Sequence, residues 1–227
     1  MDVIARLDQT RAAVNVLEHP FYERWSAGTL SARELAIYAG EYRRAVVALA
    51  EASTQAAAKA GPTHAVGLRD HAEEEARHVE LWEEFARASG APPATPEDER
   101  VLAETEECVK AWTAGGDLLE KLAVLYAIEA SQPEISKTKM EGLTVHYGHT
   151  EEGPAVEYFR VHELRDSDHA REARDLIEEL MDGVEDHERM ADRMVQRASA
   201  ALRGNWRLLD GVEAHATRES MRTVVTA

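Results

Sequence analysis

Two histidines and an aspartate, His162, Asp166 and His169, are spaced four and three residues apart. On an α-helix, offsets of four and seven residues return to within roughly 20–40° of one face, so the three side chains point the same way. A second group repeats the chemistry: Glu75 lies three residues before His78, and His71 lies four residues before Glu75. Two single carboxylates stand among apolar neighbours, Glu41 between Ile37 and Ala45, and Glu129 after the run Leu122 to Ile128. A carboxylate in such a run needs a compensating cation, which a buried arginine or a metal ion supplies. Imidazoles and carboxylates converging inside a helical bundle suit borderline divalent ions such as iron or manganese. The rival reading of the charge-dense helices is a solvated face.

The elements that must carry these residues are helical. Apolar positions recur at helical spacing in every long segment, and no β alternation is convincing. A short helix over about 3–17 breaks at His19-Pro20-Phe21-Tyr22. Ser31 and Glu34 form a capping box opening a helix to about Lys59, which Gly61-Pro62 stops. A helix over about 63–88 carries Glu75 and His78. Thr95-Pro96 opens the next, to about Ala114, and Asp117 with Glu120 starts the one that contains Glu129. Pro133 kinks or restarts that helix, because proline removes a donor and clashes with the preceding turn. Residues 142–153 read as loop. A helix from Pro154 to about Met181 carries the histidine–aspartate triad, and a last helix runs to about Leu202 or beyond, with a frayed tail over 215–227. The expectation is one domain over 1–214, all-α, an up-and-down bundle of about seven helices.

Composition narrows the function. With 43 acids against 26 bases the net charge is −17, which repels nucleic-acid phosphates and anionic membranes. One cysteine, Cys108, excludes a disulfide framework and a cysteine-based zinc site and fits a reducing, cytoplasmic setting. The opening residues lack the apolar stretch of a signal peptide, and no 18 apolar residues run together. The seven candidate ligands Glu41, Glu75, His78, Glu129, His162, Asp166 and His169 lie on four helices. One ion takes three or four protein ligands, so seven is a dinuclear number.

These residues carry a resemblance. His19-Pro20-Phe21-Tyr22 with Trp25, Gly28, Leu30 and Ser31 resembles the opening of the haem-oxygenase-like superfamily, which includes TenA-type thiaminases and the pyrroloquinoline-quinone synthase. Glu41, the helix of His78-Val79-Glu80-Leu81-Trp82, Tyr126-Ala127 with Glu129, and the His162–Asp166–His169 triad resemble the branch of haem-oxygenase-like diiron oxidases and oxygenases. Over about residues 15–210 the resemblance implies two Fe(II) ions (or manganese) and dioxygen as co-substrate. Many members place a glutamate seven residues before the histidine on this helix, where this chain has His71. Others place it three residues before, at Glu75. The role is carried to Glu75, with His71 as an alternative ligand or a partner that orients one. Cys108 sits in an acidic outer helix, unlike a thiaminase nucleophile, and His19 precedes proline, unlike a haem ligand.

The branch includes alkene-forming fatty-acid decarboxylases, amino-acid fragmenting and desaturating enzymes, N-oxygenases and a self-sacrificing chlamydial para-aminobenzoate synthase. The implied activity is attack on C–H or N–H bonds of a small carboxylate-bearing metabolite, an amino acid by preference. Arg44, Arg165 and Lys137 are the candidate anchors for its carboxylate. The alternatives are a fatty-acid decarboxylase and a metal-free enzyme of the TenA or quinone-synthase kind. A homodimer and an external electron source are the expected partners.

Overall fold

The computed structural model describes residues 2–93 and 101–225. Among them are nine α-helices, a 3-10 turn at Val16–Glu18 and no strand. The helices are α1 (Val3–Ala13), α2 (Pro20–Ser26), α3 (Ala32–Lys59), α4 (Ala65–Ala88), α5 (Ala103–Trp112), α6 (Leu118–Glu129), α7 (Gln132–Val145), α8 (Pro154–Met181) and α9 (His187–Val225). The all-α expectation holds. No described helix is long and apolar enough to cross a membrane.

The helix starts follow the local chemistry. Ser31 Oγ accepts the Glu34 N–H at 3.2 Å while the Glu34 carboxylate accepts the Ser31 N–H at 2.8 Å, a reciprocal cap for α3. His19 Nδ1 accepts the Phe21 N–H at 3.0 Å ahead of Pro20, so His19 is the cap of α2. Asp117 caps α6 through the Glu120 N–H at 3.0 Å. Pro133 restarts the chain as α7 after a two-residue break.

Two boundaries differ from the expectation. Helix α7 continues through Gly142 to Val145, so the loop begins only at His146. A methyl group at Gly142 would overlap the Trp25 indole. The glycine is there for close packing of α2 on α7, not to end a helix. Helix α9 continues past His215 to Val225, and Glu219 in its last turns accepts both Nε (2.9 Å) and Nη2 (2.5 Å) of Arg33 from α3. The expected cap at Thr95-Pro96 lies outside the described residues.

Helix α6 is the central rod. Every residue from Leu119 to Glu129 is buried, as an all-round apolar sequence requires. It packs on α3, α8 and α9, while α4 packs on α3 and α8. One side of α6, with Leu122, Ala123 and Tyr126, joins an aliphatic cluster with α1, α8 and α9. The other, with Val124, Leu125 and Ile128, joins an aromatic cluster holding Phe21, Trp25, Tyr38, Trp82 and Phe159. Glu129 ends this rod with no exposed surface. The unpaired carbonyls at a helix C-terminus already make that end negative, so a buried carboxylate there needs a cation.

Candidate metal centre

Three helices bring together the candidate metal ligands. Helix α4 contributes His71, Glu75 and His78, α6 contributes Glu129, and α8 contributes His162, Asp166 and His169. The ligand atoms fall into three overlapping groups: His71, Glu129 and His169; Glu75, His78 and His162; and Glu75, Asp166 and His169. Within each group the atoms lie within 4.8 Å of one another. Glu75 belongs to two groups, with Oε1 at 3.2 Å from His78 Nδ1 and 3.9 Å from both His71 Nε2 and His169 Nδ1. Its Oε2 lies 3.8 Å from His162 Nε2. Ligands bound about 2.1 Å from one ion stand about 3–4 Å apart, so this spacing fits.

The hydrogen-bond inventory shows what the cluster leaves unsatisfied. His71 Nε2, Glu75 Oε1, His78 Nδ1, both oxygens of Glu129, His162 Nε2, both oxygens of Asp166 and His169 Nδ1 are buried without a hydrogen bond. The 3.0 Å approach of His71 Nε2 to Glu129 Oε1 is close but not aligned as one. An unsatisfied buried polar atom costs about 1–3 kcal/mol. Nine such atoms facing one another on seven residues fit ions that they would ligate.

The far side of each ring is held. His162 Nδ1 donates to the Tyr158 carbonyl at 2.7 Å, leaving Nε2 as the free donor atom, and the Tyr158 ring stacks on the imidazole with centroids 4.0 Å apart. His169 Nε2 lies 3.3 Å from Glu74 Oε2, and Arg165 grips Glu74 through Nε at 2.8 Å and Nη2 at 3.1 Å. The Arg165 hydrogen bonds hold the Glu74 carboxyl at about 2.

The same carboxylates set the electrostatics of the cluster. Burial opposes charge on His71 and His162, yet Glu129 beside the first and Asp166 and Glu75 beside the second raise both imidazoles to about 9. Burial lifts Asp166 to about 6 against the pull of His162. Burial would also raise Glu75, but His162 and His78 hold it well below the usual carboxylate range. The pocket demands positive charge, as protons or as metal ions.

Glu75, His78, Glu129, His162, Asp166 and His169 thus come together, and both alternatives on α4 are present, because His71 joins Glu75 rather than replacing it. Glu41 does not join them. Its Oε2 accepts the Leu102 N–H at 3.2 Å and the Thr105 hydroxyl at 2.6 Å, capping the start of α5. That helix N-terminus answers the charge for which a metal was expected. Arg44 lines the same outer cleft as Glu41, Lys137 is exposed on α7, and Arg165 is engaged with Glu74, so none of the three stands as a carboxylate anchor at the centre.

Sequence reading missed Lys139. It is 1% exposed, with Nζ 4.9–5.9 Å from the ring centres of Tyr22, Tyr38, Tyr42, Trp82 and Phe159. Burial lowers its amine to about 7. The signal was present: Ile135 and Leu143, four residues to either side, mark Lys139 as inward-facing. Trp82 also lies 4.9 Å from Tyr158, so aromatic rings link this amine to the His162 wall.

Residues 70–206 match the family described as an iron-containing redox enzyme. The chain is 31% identical over 193 residues to a 4-aminobenzoate synthase of Chlamydia trachomatis, covering 80% of this chain and 81% of that one. It is 29% identical over 226 residues to a 4-aminobenzoate synthase of Nitrosomonas europaea, covering 91% and 89%. Among solved structures, a domain of unknown function with a haem-oxygenase-like fold from Shewanella denitrificans superposes with a TM-score of 0.79 at 20% identity, over 96% of this chain and 94% of that one. A TenA homologue from Pseudomonas syringae gives 0.78 at 18% identity, over 93% and 91%.

Proposed function

Since the chain belongs to the iron-containing redox enzymes and has the haem-oxygenase-like fold, and so is an oxidoreductase, we propose that it is a dioxygen-dependent, non-haem dinuclear iron oxygenase that makes 4-aminobenzoate or a close aromatic amine. His71, Glu129, Asp166 and His169 would hold one ion, and His78 and His162 the other, with Glu75 shared. Three carboxylates offset three of the four positive charges of two ferrous ions, and four imidazoles complete the set neutrally. Iron bound here supplies the redox chemistry by which dioxygen is reduced.

The chain's own residues keep that chemistry in place. The Tyr158 carbonyl fixes the tautomer of His162, and the Arg165–Glu74 pair orients His169. The rings of Tyr158 and Trp82 shut water out behind His162, where burial strengthens every electrostatic interaction. The relatives' names support an aromatic amine product. A long fatty acid is the poorer reading, because the cleft reaching the cluster is only about 330 Å³.

The nine buried polar atoms without hydrogen bonds carry this reading. Ferrous titration under argon, with metal counted by atomic emission and iron pairing read by Mössbauer spectroscopy, tests it. Two ions per chain are expected, and no more than one in His162→Ala or Glu129→Ala, each of which removes a ligand of one ion. Turnover unchanged in a chelator-treated, iron-free chain would refute it.

A further inference from the structure

A cleft of about 330 Å³ between the start of α4, the middle of α6 and the second half of α8 ends on His71 and His169. Other sizeable clefts, including those at Glu41 and at Glu141, are lined by none of the seven cluster residues. His169 is 97% buried, and its Nδ1 lacks a hydrogen bond. The opposite side of the cluster is closed by the Tyr158 ring stacked on His162.

The rim of the cleft is acidic. Glu172, Asp175 and Glu179 follow His169 at offsets of three, six and ten along α8, and all three are exposed. His64, whose Nε2 lies 3.3 Å from Glu179, is the basic group among the rim residues. Leucines of α4 and α6, Leu68 and Leu122, form the walls. An acidic mouth with low-dielectric walls focuses field lines and concentrates cations. Dioxygen is neutral and gains nothing from such a rim, whereas a divalent cation is drawn to it.

We propose that this cleft is the loading route of the centre, where Glu172, Asp175 and Glu179 collect a divalent cation from solvent and pass it to His71 and His169. The route rests on the dinuclear reading above. The ion reaches the His71–Glu129–Asp166–His169 end first, and the second ion reaches His78 and His162 past Glu75.

Stopped-flow mixing of the metal-stripped full chain with cobalt(II) chloride, read by the visible absorption of bound cobalt, tests it. The triple variant E172Q/D175N/E179Q should take up cobalt about tenfold more slowly at low ionic strength, with the difference fading near 1 M salt where screening is strong. Its final stoichiometry and spectrum should match those of the unaltered chain. A control, E141Q/E151Q/E152Q, removes three charges beside a different cleft and should load at the unaltered rate. Equal slowing in both variants, or in neither, overturns the route. An unaltered chain that binds no cobalt overturns the dinuclear reading itself, and the two failures are told apart by the end point.

Discussion

Glu75 and His162 face each other across the α4–α8 interface, Oε2 to Nε2 at 3.8 Å, while the other oxygen of the same carboxylate lies 3.9 Å from His169 Nδ1. One side chain therefore addresses both ends of the cluster. Glu75→Ala should bind about one ion per chain, because His78 and His162 alone fall short of a site, whereas Glu41→Gln should still bind two, because Glu41 caps α5 instead. Metal analysis after anaerobic loading decides it, and two ions in Glu75→Ala would remove the shared carboxylate.

Metal uptake should release protons. With His71 and His162 raised to about 9, both imidazoles are charged near pH 7.5, and an ion must displace those protons. Calorimetry in two buffers of different ionisation heat should give roughly two protons per loaded chain, and affinity should climb as pH rises to about 9. In the metal-free chain the sign reverses. The two groups stabilise the fold fully below their unfolded value near 6.5 and lose that contribution as pH rises through about 9. Thermal melts of the stripped chain at pH 6 and 9.5 check the trend.

Lys139 should cost stability near neutral pH. Its folded value of about 7 lies below the ordinary lysine value, so the unfolded chain holds more protons between them, and stability rises with pH across that window. The five surrounding rings offset part of the desolvation. Lys139→Met should stabilise by a few kcal/mol at pH 7 and by clearly less at pH 10. Urea unfolding of both proteins measures the gap; a gap independent of pH contradicts the argument.

Arg165 acts through Glu74 on His169. Arg165→Ala should weaken metal binding about tenfold while leaving the saturating stoichiometry at two. A carboxylate anchor would behave differently, raising KM with metal affinity intact. Competition against a coloured chelator separates the two.

The α8 triad and Glu129 were legible because the evidence lay within single helices: offsets of four and seven in one case, an unbroken apolar run in the other. Glu41 has apolar helix neighbours too, but they say only that it is covered, not by what. Its partner, the start of α5, arrives from about 60 residues away through tertiary packing. His71 and Glu75 share a face of α4, and the resemblance offered them as rivals for one role, whereas the structure brings both to the cluster. Gly142 read as a helix breaker because the indole that requires it lies on α2, far away in sequence.

Between Leu119 and Glu129, α6 has no residue exposed to water. A ligand exchange at its final carboxylate is therefore mechanically joined to eleven consecutive buried positions, which touch both apolar clusters. Amide hydrogens along that shaft should exchange faster once iron leaves, so the innermost and most protected helix becomes the protein's own gauge of whether its cargo is aboard.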